Sequence, residues 1–200
     1  MGQMPVLINK EVIEKCQAGD REGFRALFEV YRERVYGIAL YFAGDTVSAK
    51  DVAQEVFLKL FTCIKEYRGD ASFDTWLYRL IVNCCIDERR KRRRFLPLDF
   101  LLGRTSMEQD TAAEAHYLRV EISDAVQLAV QKLKPKLRVP VILRYVEELS
   151  YEQIAAVLGC SQGTVASRLN RAHRTLARRL GHILDRTASD RTASEKSHVV

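Results

Sequence analysis

Trp76, Arg79, Asn83, Asp87 and Arg90 recur at three- and four-residue intervals inside SFDTWLYRLIVNCCIDERRKRRR, residues 72–94. On a helix that spacing aligns an indole, two guanidiniums, an amide and a carboxylate along one strip. Such a strip suits the recognition of unpaired nucleic-acid bases. An indole stacks on a base, an amide and a guanidinium bond base edges, and the cations at 89–94 can hold phosphates. A second reading competes on these residues alone. In it Trp76 is a core aromatic and the basic run is a solvated helix end favoured by the helix dipole.

The strip needs a scaffold, and the flanking sequence predicts an all-helical one. Ser72 is placed to cap the helix, and Leu77, Leu80, Ile81, Cys84 and Cys85 form an apolar face that must pack on other helices. Upstream, a short helix over 11–18 buries Val12, Ile13 and Cys16 and ends at Gly19. Asp20 caps a long helix with Phe24, Leu27, Phe28, Tyr31, Val35, Ile38, Ala39 and Phe42 on one face, stopped by Gly44. A third helix, from about Ser48 to Lys65, turns Val52, Val56, Leu60 and Ile64 inward and Asp51, Gln54 and Glu55 outward. The loop 66–71 follows, with Gly69 at a tight reversal.

The periodicity breaks after Arg94 at FLPLDFLLG and turns polar through 104–111, the signature of an interdomain linker. A second helical segment runs from about 112 to 184. Its first helix carries Leu118, Ile122, Val126, Ala129 and Leu133 and ends before Pro135. The next, about 136–146, has Pro140 near its first turn. Ser150 and Gln153 make a capping box, Gly159-Cys160-Ser161 a tight turn, and Val165, Leu169, Ala172 and Leu176 the inner face of the helix that follows. Two short helices joined by a glycine turn predict a helix-turn-helix, whose second helix enters the major groove. Its outer face carries Gln162, Thr164, Ala166, Ser167, Asn170, Arg171 and Arg174. Ser167, Asn170 and Arg171 suit base edges; Arg168, Arg174, Arg178 and Arg179 suit phosphates. A plain bundle with a basic surface helix is the competing reading. The repeat DRTAS-DRTAS at 185–194 has little apolar content and is expected to be disordered.

The 200 residues carry a net charge of +6, clustered as basic blocks at 89–94 and 168–179, which favours a polyanionic partner. Five cysteines without a C-x-x-C pair read as reduced, buried thiols, with a redox sensor at Cys84 and Cys85 the lesser alternative. The four histidines show no metal-ligand spacing. No phosphate-cradling glycine loop and no nucleophile with a partnered base is present, so no enzyme, cofactor, metal site or catalytic residue is expected. Neither a signal peptide nor a transmembrane run is visible, which places the chain in the cytoplasm. The expected architecture is two small helical domains, 1–94 and 117–184, joined by a flexible linker over 95–116 and followed by a tail over 185–200.

DVAQEVF at 51–57, YRGDASF at 67–73 with TWLYR at 75–79, LSYEQIA at 149–155, GTV at 163–165 and SRL at 167–169 together resemble a bacterial RNA polymerase sigma factor. The likeness is to the extracytoplasmic function (ECF) subfamily of the sigma-70 family, with only its second and fourth conserved regions, over about 10–94 and 118–180. It implies a subunit that binds polymerase core, directs it to specific promoters and opens the DNA without catalysis. Asp51, Gln54 and Glu55 would dock on the clamp coiled coil, with the flap as a further core contact. Tyr67, Arg68, Gly69, Asp70, Ser72, Phe73, Trp76, Arg79, Asn83 and Arg90 would capture the single-stranded minus-ten element, one flipped base lying near the loop. Gln162, Thr164, Ala166, Ser167, Arg168, Asn170, Arg171 and Arg174 would read the duplex minus-thirty-five element. The linker would thread the polymerase's active-site and RNA-exit channels, and an anti-sigma protein is a common partner in the family. The chain departs from the pattern at Ala166, where relatives usually carry Lys or Arg, and at Asn170, where many carry His or an aromatic. A self-sufficient operator-binding regulator would explain the helix-turn-helix but would leave the Trp76 to Asn83 strip idle.

Overall fold

Most helix starts among the described residues are set by polar side chains, and several helix ends by glycine. The computed structural model describes residues 8–95 and 125–197, in which every regular element is helical. Asn9 accepts from the Glu11 amide to start α1 (Lys10–Gln17). Asp20 accepts from Glu22 and Gly23 to start α2 (Arg21–Ala43), which Gly44 ends at φ 89°. That left-handed value costs a glycine nothing.

Asp45 starts α3 (Thr46–Cys63) by accepting from the Ser48 amide at 2.8 Å. The helix therefore begins two residues before Ser48, whose hydroxyl donates to Asp45 instead of capping. A 3-10 turn, Ile64–Glu66, follows α3. Ser72 accepts from the Thr75 amide at 3.2 Å and opens α4 (Phe73–Phe95), as the sequence predicts.

A helix whose described part spans 125–131 (α5) leads to α6 (Pro135–Tyr145). Pro135 occupies the first turn of α6, where its missing N–H costs nothing. Pro140 is buried in the helix interior, not near its first turn. α7 (Tyr151–Leu158) opens on the reciprocal Ser150–Gln153 capping box, with bonds of 3.2 and 2.8 Å, and ends at Gly159, φ 59°.

α8 runs Gln162–Ser197, straight through the DRTAS repeat for which no order was expected. A nucleated helix extends cheaply, residue by residue, and neither Gly nor Pro interrupts 182–197. Of the linker expected at 95–116 only Phe95 is described, as the last residue of α4; residues 1–7, 96–124 and 198–200 lie outside the described residues.

Two layers meet at α4. One side of it, Leu77, Ile81 and Cys84, is buried with Leu27, Tyr31 and Val35 of α2 and Val52, Val56 and Leu60 of α3. A second side, Val82 and Cys85, closes with Ile38 and Phe42 of α2 around Val139, Ile142 and Leu143 of α6. The apolar arc of α4 is thus wider than one neighbour can cover, and the two halves of the chain share one buried cluster. Arg138 is buried within it at 3 % exposure. Its guanidinium donates to the carbonyls of Val130 (3.1 Å), Leu133 (3.2 Å) and Phe42 (2.7 Å), the last in the final turn of α2. Helix C-terminal carbonyls carry partial negative charge, so they can satisfy a buried cation.

Arg92 turns back from the basic block to Asp45, at 3.1 Å, and also bonds Ser48. Burial works to raise the Asp45 carboxyl, but the bonds from the Ser48 hydroxyl and amide, with Arg92, outweigh it and hold the group below its ordinary 3.8. A lowered folded-state value means a contribution present in full above the unfolded value and lost as pH falls through the folded one. Asp45→Ala, which removes both the cap and the partner of Arg92, is therefore expected to lower stability by about 1 kcal/mol at pH 7. In urea titrations across pH, the gap from wild type should narrow once the pH drops below the ordinary aspartate range.

Candidate nucleic-acid interface

The loop before α4 is built by backbone bonds from distant side chains. Gln17, at the end of α1, donates its amide to the carbonyls of Ile64 (3.1 Å) and Tyr67 (2.8 Å). The Tyr67 hydroxyl closes the loop on itself by donating to the Ala71 carbonyl at 2.9 Å, around Gly69 at φ 82°. Arg68, Gly69, Asp70 and Ser72 are left exposed on its rim.

Behind the loop stands an aromatic stack. The Tyr67 ring meets Phe73 edge-on at 5.4 Å and Trp76 at 5.6 Å, and Phe73 lies 5.7 Å from Trp76. Phe73 is only 6 % exposed and also packs on Tyr31. It backs Tyr67 and Trp76 from the core, unlike the exposed members of the expected contact set. Trp76 is half-buried, neither sealed in the bundle nor free of it. Tyr31 donates to Asp74 at 2.5 Å; burial first, then that carboxylate, pushes the Tyr31 hydroxyl well up and keeps it neutral. The floor under these rings is therefore uncharged on the tyrosine side.

Arg79, Asn83 and Arg90 continue from Trp76 along the exposed side of α4. The strip read from spacing is one strip in space. Its members differ in freedom: Arg90 lies 3.5 Å from Asp87, and Arg79 donates through Nη2 and Nε to the Ala156 carbonyl of α7, at 2.6 and 3.2 Å. Beside this strip, Asp51, Glu55, Lys59, Cys84, Asp87 and Arg90 help line a groove of about 450 Å³ between α3 and α4. Asp51 and Gln54 are exposed on α3, and Glu55 is half-buried and pairs with Lys59 at 3.4 Å. Cys84 and Cys85 are buried, and burial pushes the Cys85 thiol up to about 12. A thiol so protonated and enclosed is a poor nucleophile.

In the second half, Ser161 accepts from the Thr164 amide at 3.2 Å and starts α8. Val165, Leu169 and Ala172 are buried, so Gln162, Ala166, Ser167, Asn170, Arg171 and Arg174 face out. Thr164 and Arg168 are half-buried, and the Arg168 guanidinium rests 4.0 Å from the Cys160 sulfur. Arg179, read as a phosphate ligand, donates instead to the Ala129 carbonyl at 3.1 Å and ties α8 to α5. Among the described residues no group of His, Cys, Asp and Glu could hold a metal ion, and no helix is long and apolar enough to cross a membrane.

A helical bundle with a stacked aromatic at the head of a cationic strip, joined to a helix-turn-helix, is the arrangement of a transcription initiation factor. The family models agree, matching Sigma-70 region 2 over residues 27–95 and Sigma-70, region 4 over 123–176. The chain belongs to the sigma-70 family of bacterial RNA polymerase sigma factors, in its ECF group. It is 34% identical over 184 residues to the RNA polymerase sigma-H factor of Pseudomonas aeruginosa, covering 88% of this chain and 95% of that one. It is 30% identical over 185 residues to the ECF RNA polymerase sigma factor SigW of Bacillus subtilis (88% and 98%) and 30% over 190 to the ECF RNA polymerase sigma-E factor of Escherichia coli K12 (90% and 98%). In fold it is similar to CnrH, solved with the cytosolic domain of CnrY, at TM-score 0.63, 23% identity and coverage of 86% and 96%. It is likewise similar to RpoE of Bartonella quintana, solved with the anti-sigma factor NepR, at TM-score 0.60, 23% identity and coverage of 79% and 96%. The chain directs RNA polymerase to promoters and initiates transcription there.

Gln17 carried no sequence signal, because its partners lie 47 and 50 positions away. Its effect is measurable through Trp76, the only tryptophan. Gln17→Ala should free the Tyr67 carbonyl, loosen the cover over the indole and raise acrylamide quenching of its fluorescence above the wild-type slope.

Proposed function

We propose that the loop and α4 capture the non-template strand of the minus-ten element. The single observation that carries this is the position of Trp76. It is half-exposed at the head of the Arg79, Asn83 and Arg90 strip, with Tyr67 and Phe73 behind it. A base leaving the duplex stacks on the indole, worth about 1–3 kcal/mol, against an unstacking cost of roughly a few kcal/mol per step. Asn83 and Arg79 bond base edges, Arg68, Asp70 and Ser72 of the rim close on the extruded nucleotide, and Arg90 holds phosphate. Opening in this scheme is driven by binding alone, with no bond made or broken by the chain.

Asp51, Gln54 and Glu55 on the outer face of α3 serve as the docking patch for the polymerase clamp. Asn170, Arg171 and Ser167 read the minus-thirty-five element in the major groove, with Gln162, Thr164, Arg168 and Arg174 positioned for backbone contacts and Ala166 leaving a gap where a cation would add one. Residues 1–94 and 117–184 then act as separate reading modules of a cytoplasmic protein. An inhibitor of the kind bound to RpoE in its solved complex is a further partner.

Trp76→Ala is expected to leave polymerase binding intact and abolish permanganate reactivity of promoter thymines; normal reactivity would sink the assignment. Arg171→Ala should lose about 1–3 kcal/mol of binding to the upstream element and little on unrelated DNA. An equal loss on all sequences would make it a phosphate contact.

A further inference from the structure

We propose that Tyr145 and His173 together hold a backbone phosphate of the upstream duplex, and that the hold tightens when the His173 ring takes up a proton. This rests on the reading of α8 above as the helix that enters the major groove. Tyr145, the last residue of α6, is 59% exposed, and its hydroxyl lies 2.7 Å from Nε2 of His173, itself exposed on α8. The two ring centroids are 5.7 Å apart. A bond between two exposed groups competes with water and adds little to stability, so the pair is available for a contact outside the chain. His173 follows Asn170 by three positions and Ala166 by seven, close to two helical turns. It therefore stands at the edge of the outer face, in line with the place where Ala166 leaves a cation out.

The chemistry of the pair depends on one proton. A phenol is the better donor and a neutral imidazole the better acceptor, so with the ring neutral the hydroxyl donates to Nε2 and its proton is committed there. With the ring protonated, Nε2–H donates to the hydroxyl oxygen and the hydroxyl proton turns outward. One proton uptake thus adds a charge and frees an O–H donor at the same place, and a phosphate can accept from both. Imidazole ordinarily changes charge between about pH 5 and 8.

The charged groups around the ring leave that exchange undisturbed. α6 and α7 both pack against α8. On α6, Arg138 is buried against carbonyls, Arg144 donates to the Leu149 carbonyl and lies over the Tyr151 ring, and Lys136 is at the opposite end of the helix from Tyr145. In the turn that follows, Glu147 is held by Tyr78 and Arg34, and Glu148 is exposed. Tyr151 and Glu152 lie in the first turn of α7, and Arg171 and Arg174 flank the ring along α8. Among the described residues no carboxylate pairs with His173, whose bonded partner is Tyr145. A phosphate therefore meets no rival for its charge.

The test uses the full chain assembled with polymerase core, and as probe a duplex that the wild-type holoenzyme enriches from a random-sequence pool. Fluorescence anisotropy gives the affinity over a range of salt at about pH 6 and about pH 8. Wild type should bind about three- to tenfold more tightly at the lower pH, and its slope of log affinity against log salt should steepen by about 0.9, the increment for one further phosphate. His173→Gln, which keeps a polar group but no charge, should lose both changes. His173→Arg should show the steeper slope at both pH values. Tyr145→Phe should lose most of the gain at the lower pH. Both positions are exposed, so the variants are expected to fold. A pH response in His173→Gln as large as that of wild type would overturn the role of the ring, and an undiminished response in Tyr145→Phe would overturn the hydroxyl's part. The Arg171→Ala comparison of upstream and unrelated DNA is made at a single pH, so the reading by α8 stands or falls separately.

Discussion

Everything in this molecule turns on how the surface of α4 is divided. At 3.6 residues per turn, Leu77, Ile81 and Cys84 fall on one side, Tyr78, Val82 and Cys85 on the next, and Trp76, Arg79, Asn83 and Arg90 on what remains. The first side is claimed by α2 and α3 and the second by the C-terminal half. Removing both from water fixes the rotation of the helix, and that rotation alone points the third side outward. The strip needs no special device to hold it, because burying its neighbours orients it.

Charge is distributed by the same constraint. Basic residues are abundant, but the structure uses several as internal ties. Arg92 braces the start of α3, Arg138 binds helix-end carbonyls, Arg179 fastens α8 to α5, and Arg34 faces Glu147 and Asp74. Those left on the surface, Arg68, Arg90, Arg171 and Arg174, lie beside the loop, along α4 and on the outer face of α8. A net charge of +6 therefore understates how unevenly the cations are placed. Long-range attraction to DNA comes from the sum of these charges and not from any one of them.

The aromatic site depends on support more than on exposure. Trp76 is held half-exposed because Tyr67 and Phe73 back it, and Tyr67 is held because Gln17 reaches its carbonyl from α1. Two residues of the site are thus structural: Phe73 lies in the core and Gln17 bonds only backbone. The membership of this chain in the sigma-70 family gives the arrangement its use, while the packing explains why the side chains can serve it.

The sequence alone determined that the chain is helical, the caps of α2, α4 and α7 and the glycine ends of α2 and α7, since each follows from local periodicity and from hydrogen bonds a few positions long. Ser72, Asp20, Gly44 and the Ser150–Gln153 box were all legible for that reason. It also carried the family motifs. Three things belonged to tertiary structure. Gln17, Arg138 and Glu147 act across 47 to 96 positions, and no spacing rule connects them to their partners. The burial of Phe73 was not legible because an aromatic beside an exposed loop looks alike in sequence whether it faces solvent or core. The length of α8 was missed because composition measures whether a segment can fold by itself, and a segment continuing an existing helix does not have to.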